Sequence, residues 1–257
     1  MRLKENIIAY RYIVMHEAKR NFRLWIQILV PPLITASLYF LIFGQIIGSR
    51  VGQMNHVNYL DFIVPGIIMM NMIMASYNAS VFVIYMAKFN KSIEALYTSP
   101  TAALTILFAF ISVGVVRGFL IGLIVGIVAY FFTDFHIAHI GLMLLIALLG
   151  NTLFASLGMF NAFFAKNFDQ VSMIPNFVIT PLSYLGGIFY SVASLPPIWQ
   201  KIALLNPLLY LITSFRDAFY DMPEINITLA VSIMILLSVI LFAANFRLLT
   251  KRRGMHD

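Results

Sequence analysis

Six separate stretches of this chain are each long and apolar enough to cross a lipid bilayer, and no soluble fold can accommodate them all. A hydrocarbon core of about 30 Å takes roughly 20 helical residues to cross. The stretches run over 24–48, 59–85, 103–132, 137–165, 170–190 and 226–247. None has the alternation of a membrane β-strand, so the expected fold is all-α and polytopic rather than a barrel. Composition agrees: 61% of the 257 residues are hydrophobic and 11% charged, against roughly 25% charged in a soluble domain. Cysteine is absent, which excludes disulfides and thiolate metal sites.

The cations are distributed by side rather than clustered. The N-terminal 23 residues carry six Lys or Arg, the second connection Lys88 and Lys91, the fourth Lys166, and the C-terminus Arg247, Lys251, Arg252 and Arg253. Against those thirteen, the first, third and fifth connections carry three: Arg50, Lys201 and Arg216. The asymmetry predicts six spans with both termini cytoplasmic, and it accounts for the net charge of +7 without a nucleic-acid partner. Six basic groups before the first apolar run are too many for the short head of a cleavable signal, so that run is expected to remain as a span. In residues 1–23, Ile7, Tyr10 and Val14 recur at helical spacing among basic residues. This predicts an amphipathic cytoplasmic helix on anionic lipid, which is compatible with contact to a cytoplasmic partner.

Residues 186–216, GGIFYSVASLPPIWQKIALLNPLLYLITSFR, are too apolar for an ordinary loop. Pro196, Pro197 and Pro207 forbid one helix through them. An external, re-entrant segment of short helices over 191–225 is expected, with Trp199, Asn206 and Arg216 as its other marked residues.

Within the spans, Gly114, Gly118, Gly122 and Gly126 line one side of the third. Such a stripe admits a close neighbouring helix, either in this chain or across a subunit seam. Arg117 beside it is either an interface anchor or ion-pair member, or a gating or substrate group. Asn71 and Asn78 on the second span, and Asn176, Thr180 and Ser183 on the fifth, form neutral polar stripes that suit interhelical hydrogen bonds or a translocation pathway. Pro31, Pro32, Pro65, Pro175 and Pro181 are expected helix breaks or bends.

Several chemistries are missing. There is no G-x-x-x-x-G-K-[ST] phosphate loop, no H-E-x-x-H and no nucleophilic serine elbow. His136 and His139 have Asp134 alone nearby in sequence, a poor ligand set. Asp61 is the one carboxylate within an expected span and lies near its end. Coupled carriers use mid-depth charges, so energy for transport is expected from outside this chain. Asn226-Ile-Thr and Asn78-Ala-Ser match the glycosylation pattern weakly.

The order LPPxW, LNPLxY, Arg in 195–216, with WIQILVPPLITASLYFLIFGQIIGSR (25–50), YLDFIVPGIIMM (59–70) and FAKNFDQVSMIPNFVITPLSYLGGIFYS (164–191), resembles the ABC-2 type permeases. Within them it resembles the bacterial YadH- and NodJ-like group. The resemblance covers nearly the whole chain. It implies a type V exporter-like transmembrane domain in the bacterial inner membrane, a permease homodimer, and two copies of a cytoplasmic ABC ATPase that binds ATP and Mg, with no catalytic, cofactor or metal residue in this chain. It further implies that residues 86–100, MAKFNKSIEALYTSP, couple to the ATPase, through Lys88, Lys91, Ile93, Glu94, Leu96 and Tyr97, with Arg20 and Arg23 adding contacts. The implied activity is export of an amphipathic, lipid-like or glycan substrate. A self-powered carrier, an intramembrane lipid enzyme and a scaffold without cargo stand as alternatives, and charge substitution in residues 88–98 separates them from the exporter.

Overall fold

Helices make up nearly all the regular structure of the chain, a computed structural model in which residues 3–54, 57–92 and 101–251 are described. The helices are α1 (Leu3–Arg23), α2 (Trp25–Val51), α3 (Tyr59–Phe89), α4 (Ala103–Tyr130), α5 (Ile140–Phe164), α6, α7 (Pro197–Ala203), α8 (Pro207–Tyr220) and α9 (Ile227–Lys251). Helix α6 joins Phe168–Ile174, a π-turn Pro175–Ile179 and Thr180–Tyr184. A second π-helical stretch, Phe40–Ile47, lies within α2. A short antiparallel pair, Gln53–Met54 with Val57–Asn58, links α2 to α3.

Helix α3 is the axis of the bundle. Of its apolar window 72% is buried, against 11% in α2 and in α9, so α2 and α9 meet lipid or another subunit while α3 meets protein. Helices α4 and α5 pack along α3, and α8 wedges against α3 and α5. The glycines explain the close approach of α4. A Cβ at Gly114 or Gly118 would overlap Ser80, Ser76 and Asn151, and one at Gly122 would overlap Met72. Gly126 differs, with Ile68 Cδ1 nearest at 4.0 Å. Three of the four stripe positions therefore serve packing within the chain.

Among the described residues five helices are long and apolar enough to span a membrane: α2, α3, α4, α5 and α9. The stretch expected to span 170–190 is helical from Phe168 but stops at Tyr184. Gly186 and Gly187 turn the chain there, with Gly187 at φ +80°, a conformation costly for any side chain with a Cβ. Pro175 and Pro181 lie within α6 without ending it; the Pro175 carbonyl accepts the Thr180 amide, which closes the π-turn, and also the Thr180 hydroxyl at 2.9 Å.

Helix α1 uses most of the face its periodicity suggested: Tyr10 and Val14 pack against the core. Ile7 is 50% exposed, while Ile13 and Glu17 are buried. The helix docks on the first half of α4, where Tyr10 donates to Ser112 Oγ at 2.9 Å and Asn6 accepts from the Ala102 amide.

Candidate functional site

One end of the bundle is tied by the residues of 186–226. Asn206 caps α8, accepting from the Leu208 amide at 3.0 Å, and donates to the Leu182 carbonyl at 2.7 Å. Pro207 follows at the first helical position, where its missing N–H costs nothing. Tyr210 donates to the Leu204 carbonyl at 2.8 Å. Arg216, 1% exposed, donates through Nε to the Phe62 carbonyl at 3.0 Å and through a terminal nitrogen to Gly187 O at 2.5 Å. Glu224 lies 3.7 Å from its other terminal nitrogen. Asn206, Tyr190 and Arg216 thus satisfy the carbonyls left open where α6 stops. Gly66 lets α3 pass against this turn, since a Cβ there would press on the Ile188 backbone.

Pro196 and Pro197 start α7, and Gln200 donates back to the Leu195 carbonyl at 2.8 Å. Exposed Trp199 lines a mostly apolar cavity of about 600 Å³ with Leu182, Leu185, Pro196, Asn206 and Pro207. At the other end of α8, the loop before α5 pairs with it: the His139 amide donates to the Ala218 carbonyl at 2.9 Å, and His139 Nε2 lies 3.5 Å from Asp221. Asp61 accepts the Thr133 hydroxyl. Asn226, in one glycosylation match, caps α9 through the Thr228 amide.

The opposite end carries the connection from α3 to α4. Lys88 directs its ammonium at the carbonyls of Ala162, Phe163 and Ala165, at 3.0 to 3.3 Å. It closes the C-terminus of α5, where a cation is favoured by the helix dipole. Lys91 is exposed in a left-handed turn, φ 55°. Ile93, Glu94, Leu96 and Tyr97 lie outside the described residues. Arg20 pairs with buried Glu17 at 2.6 Å, and Arg23 is exposed. Between α1 and the end of α3 runs a groove of about 350 Å³, where Tyr12, Ile13, His16, Glu17 and Arg20 face Met86, Ala87, Asn90 and Ser92.

The polar stripes turn several of their groups back on their own helices. Asn71 donates to the Ile67 carbonyl of its own helix, and Ser183 to Ile179 in the same way. Asn78 is half-buried and Asn176 exposed, and among the described residues no hydrogen bond joins the stripes. The interhelical polar contacts lie elsewhere. Ser76 donates to Asn151 at 2.7 Å, Asn161 to the Tyr77 hydroxyl at 2.6 Å, and Asn245 to the Ser156 carbonyl at 2.8 Å. Tyr39 and Tyr184 share a hydrogen bond of 2.6 Å between α2 and α6. Sequence reasoning missed these pairs; Asn151, Ser156 and Asn161 stand five residues apart, which spreads them around α5, so the available clue was only that each is a polar residue within an apolar span.

Comparison with known proteins agrees with this arrangement. The ABC-2 type transporter family matches residues 9–220. The chain is 38% identical over 250 residues to the inner membrane transport permease YadH of Escherichia coli K12, covering 97% of this chain and 98% of the relative. It is 27% identical over 241 residues to nodulation protein J of Rhizobium leguminosarum bv. viciae, covering 91% and 92%. It is 29% identical over 244 residues to nodulation protein J of Neorhizobium galegae, covering 91% of each chain. With a family match over most of its length and a permease aligned nearly end to end, the chain belongs to the ABC-2 type transporter family, as a multi-pass permease of the inner membrane.

Proposed function

We propose that this chain is the transmembrane subunit of an ATP-driven exporter, that two copies form the membrane unit, and that each carries a cytoplasmic ATPase subunit holding ATP and Mg. Both termini and the 86–100 connection face the cytoplasm in this reading, and α6 supplies the sixth crossing. The substrate is an amphipathic, lipid-like or glycan molecule moved from the cytoplasm or inner leaflet by alternating access.

The observation that carries the reading is the groove between α1 and the end of α3. It adjoins the start of the 86–100 connection, with Ile13 and Met86 as apolar contacts and the Glu17–Arg20 pair at its side. That connection and the polar face of α1 make one dock for a soluble partner. Lys88 anchors the base of the dock through the α5 carbonyls rather than touching the ATPase. A push on the connection then reaches α3, the buried axis, and through Arg216 the 186–226 end. Asn71, Asn78, Asn176, Thr180 and Ser183 are the proposed pathway groups. They are neutral hydrogen-bonding groups without fixed charge, Asn176 exposed and Ser183 buried, a set that suits headgroups and sugar hydroxyls better than small ions.

The test is Leu96→Glu in vesicles carrying the chain and its ATPase. Loss of ATP-dependent substrate movement with normal membrane insertion supports the dock. Undiminished transport removes it and favours a self-powered carrier; a chain that moves no cargo with or without ATP is a scaffold.

A further inference from the structure

The elbow between α1 and α2 encloses a cavity of about 430 Å³ lined by Ala18, Asn21 and Phe22 of α1, Trp25, Ile28 and Leu29 of α2, and Val116, Arg117 and Leu120 of α4. Its lining is apolar except for Asn21 and Arg117. The Nε of Arg117 is buried and has no hydrogen-bond partner. The charge acting on it is another cation, Arg20, whose own carboxylate, Glu17, is already paired with it at 2.6 Å. The site therefore holds uncompensated positive charge in an apolar wall, which an anion relieves.

Depth decides which anion. Arg117 lies near the middle of the 28-residue α4, a helix of about 42 Å. Trp25, which opens the first span, lines the same cavity. From Trp25, α2 runs beside α4 until Phe40 meets Phe132, ring centroids 5.7 Å apart. The part of α4 beyond Arg117 accordingly accompanies the span, while the part before it is covered by α1, the helix that lies along the membrane surface in our reading. Arg117 thus shares its cavity with Trp25, a residue type that concentrates at the headgroup level, and its long side chain reaches phosphates there by snorkelling. We propose that this elbow binds the phosphate of a membrane phospholipid on the Arg117 guanidinium, with an acyl chain along Ile28, Leu29 and Leu120. The site is separate from the groove at the α3 end and does not depend on an ATPase or a cargo.

The test uses the full chain purified in mild detergent, with native mass spectrometry after exposure to phosphatidylglycerol, to an uncharged diacylglycerol, or to inorganic phosphate. The wild type is expected to retain phosphatidylglycerol and not diacylglycerol. Arg117→Gln is expected to weaken that retention about tenfold or more, the value of a lost charged hydrogen bond. Leu120→Trp, which fills the cavity and keeps the cation, is expected to weaken it as well. A melting temperature for each variant separates lost binding from lost folding, and Leu120→Trp decides if Arg117→Gln fails to fold. Equal retention by the wild type and a folded variant overturns the site. Retention of diacylglycerol as strong as phosphatidylglycerol overturns the role of phosphate. Displacement of all lipid by millimolar inorganic phosphate overturns the lipid as occupant and leaves a soluble anion.

Discussion

Arg216 holds Phe62 in two ways: its Nε donates to the Phe62 carbonyl at 3.0 Å, and its guanidinium lies 3.7 Å from the centroid of the Phe62 ring. The pair joins α8, within the 186–226 segment, to the first turn of the central helix, 154 residues away in sequence. The same guanidinium reaches Gly187 and faces Glu224, so one side chain fastens three segments. Arg216→Gln leaves Glu224 without that cation and should cost about 3 kcal/mol or more. Arg216→Lys should lose most of that too, because an ammonium cannot reproduce the planar fork or the ring stacking. Thermal unfolding in detergent measures both; a Lys variant as stable as the wild type contradicts the assignment.

The glycine stripe gives an internal contrast. Gly118→Ala places a methyl against Ser76 and Asn151, inside a hydrogen bond between two spans. It should destabilise by about 2 kcal/mol. Gly126→Ala meets nothing closer than Ile68 Cδ1 at 4.0 Å and should be neutral, or stabilising by up to about 1 kcal/mol from helix propensity. If instead Gly126→Ala disrupts and Gly118→Ala does not, the stripe works across a subunit seam. Melting temperatures read with oligomeric mass distinguish the two.

The absence of cysteine makes orientation directly measurable. A single cysteine at exposed Ser92 should react with a membrane-impermeant maleimide only after the inner membrane of spheroplasts is opened. One at exposed Gly52 should react before. Labelling in the reverse order overturns the placement of the 86–100 connection in the cytoplasm.

Lys88 separates support from contact. Lys88→Met removes the donor to three carbonyls at the end of α5 and should cost about 1 kcal/mol. Binding of an ATPase should be retained, whereas Leu96→Glu should abolish binding with little loss of stability. The two variants, compared by melting temperature and by pull-down, should therefore fail in opposite assays.

The parts of this architecture legible in the sequence are those with a local cause. Hydropathy marked α2 to α5 and α9 because apolar length is a property of contiguous residues. Pro207 was marked as a break, and it proves to be the first residue of α8 behind the Asn206 cap, a local start that needs no distant partner. Arg216 was marked by position, but its partners Phe62 and Gly187 come from other segments that no periodicity connects. Lys88 read as a residue of the coupling connection, and its bonds were hidden because the α5 carbonyls it closes lie some 75 residues on. Ser76 with Asn151, and Tyr77 with Asn161, were hidden for the same reason. Ile7 lies at the margin of the face that Tyr10 and Val14 turn inward, and the contact of Tyr10 with Ser112 fixes which side of α1 meets α4.

Affinity purification of the tagged chain from native membranes in mild detergent, with quantitative mass spectrometry and an ATPase assay, tests the exporter reading most directly. The account predicts an ATP-binding subunit in near-equal amount and measurable ATP hydrolysis, both lost with Ile93→Glu while the permease still folds. A chain that emerges alone and inert from several detergents, or keeps its ATPase after that substitution, contradicts it.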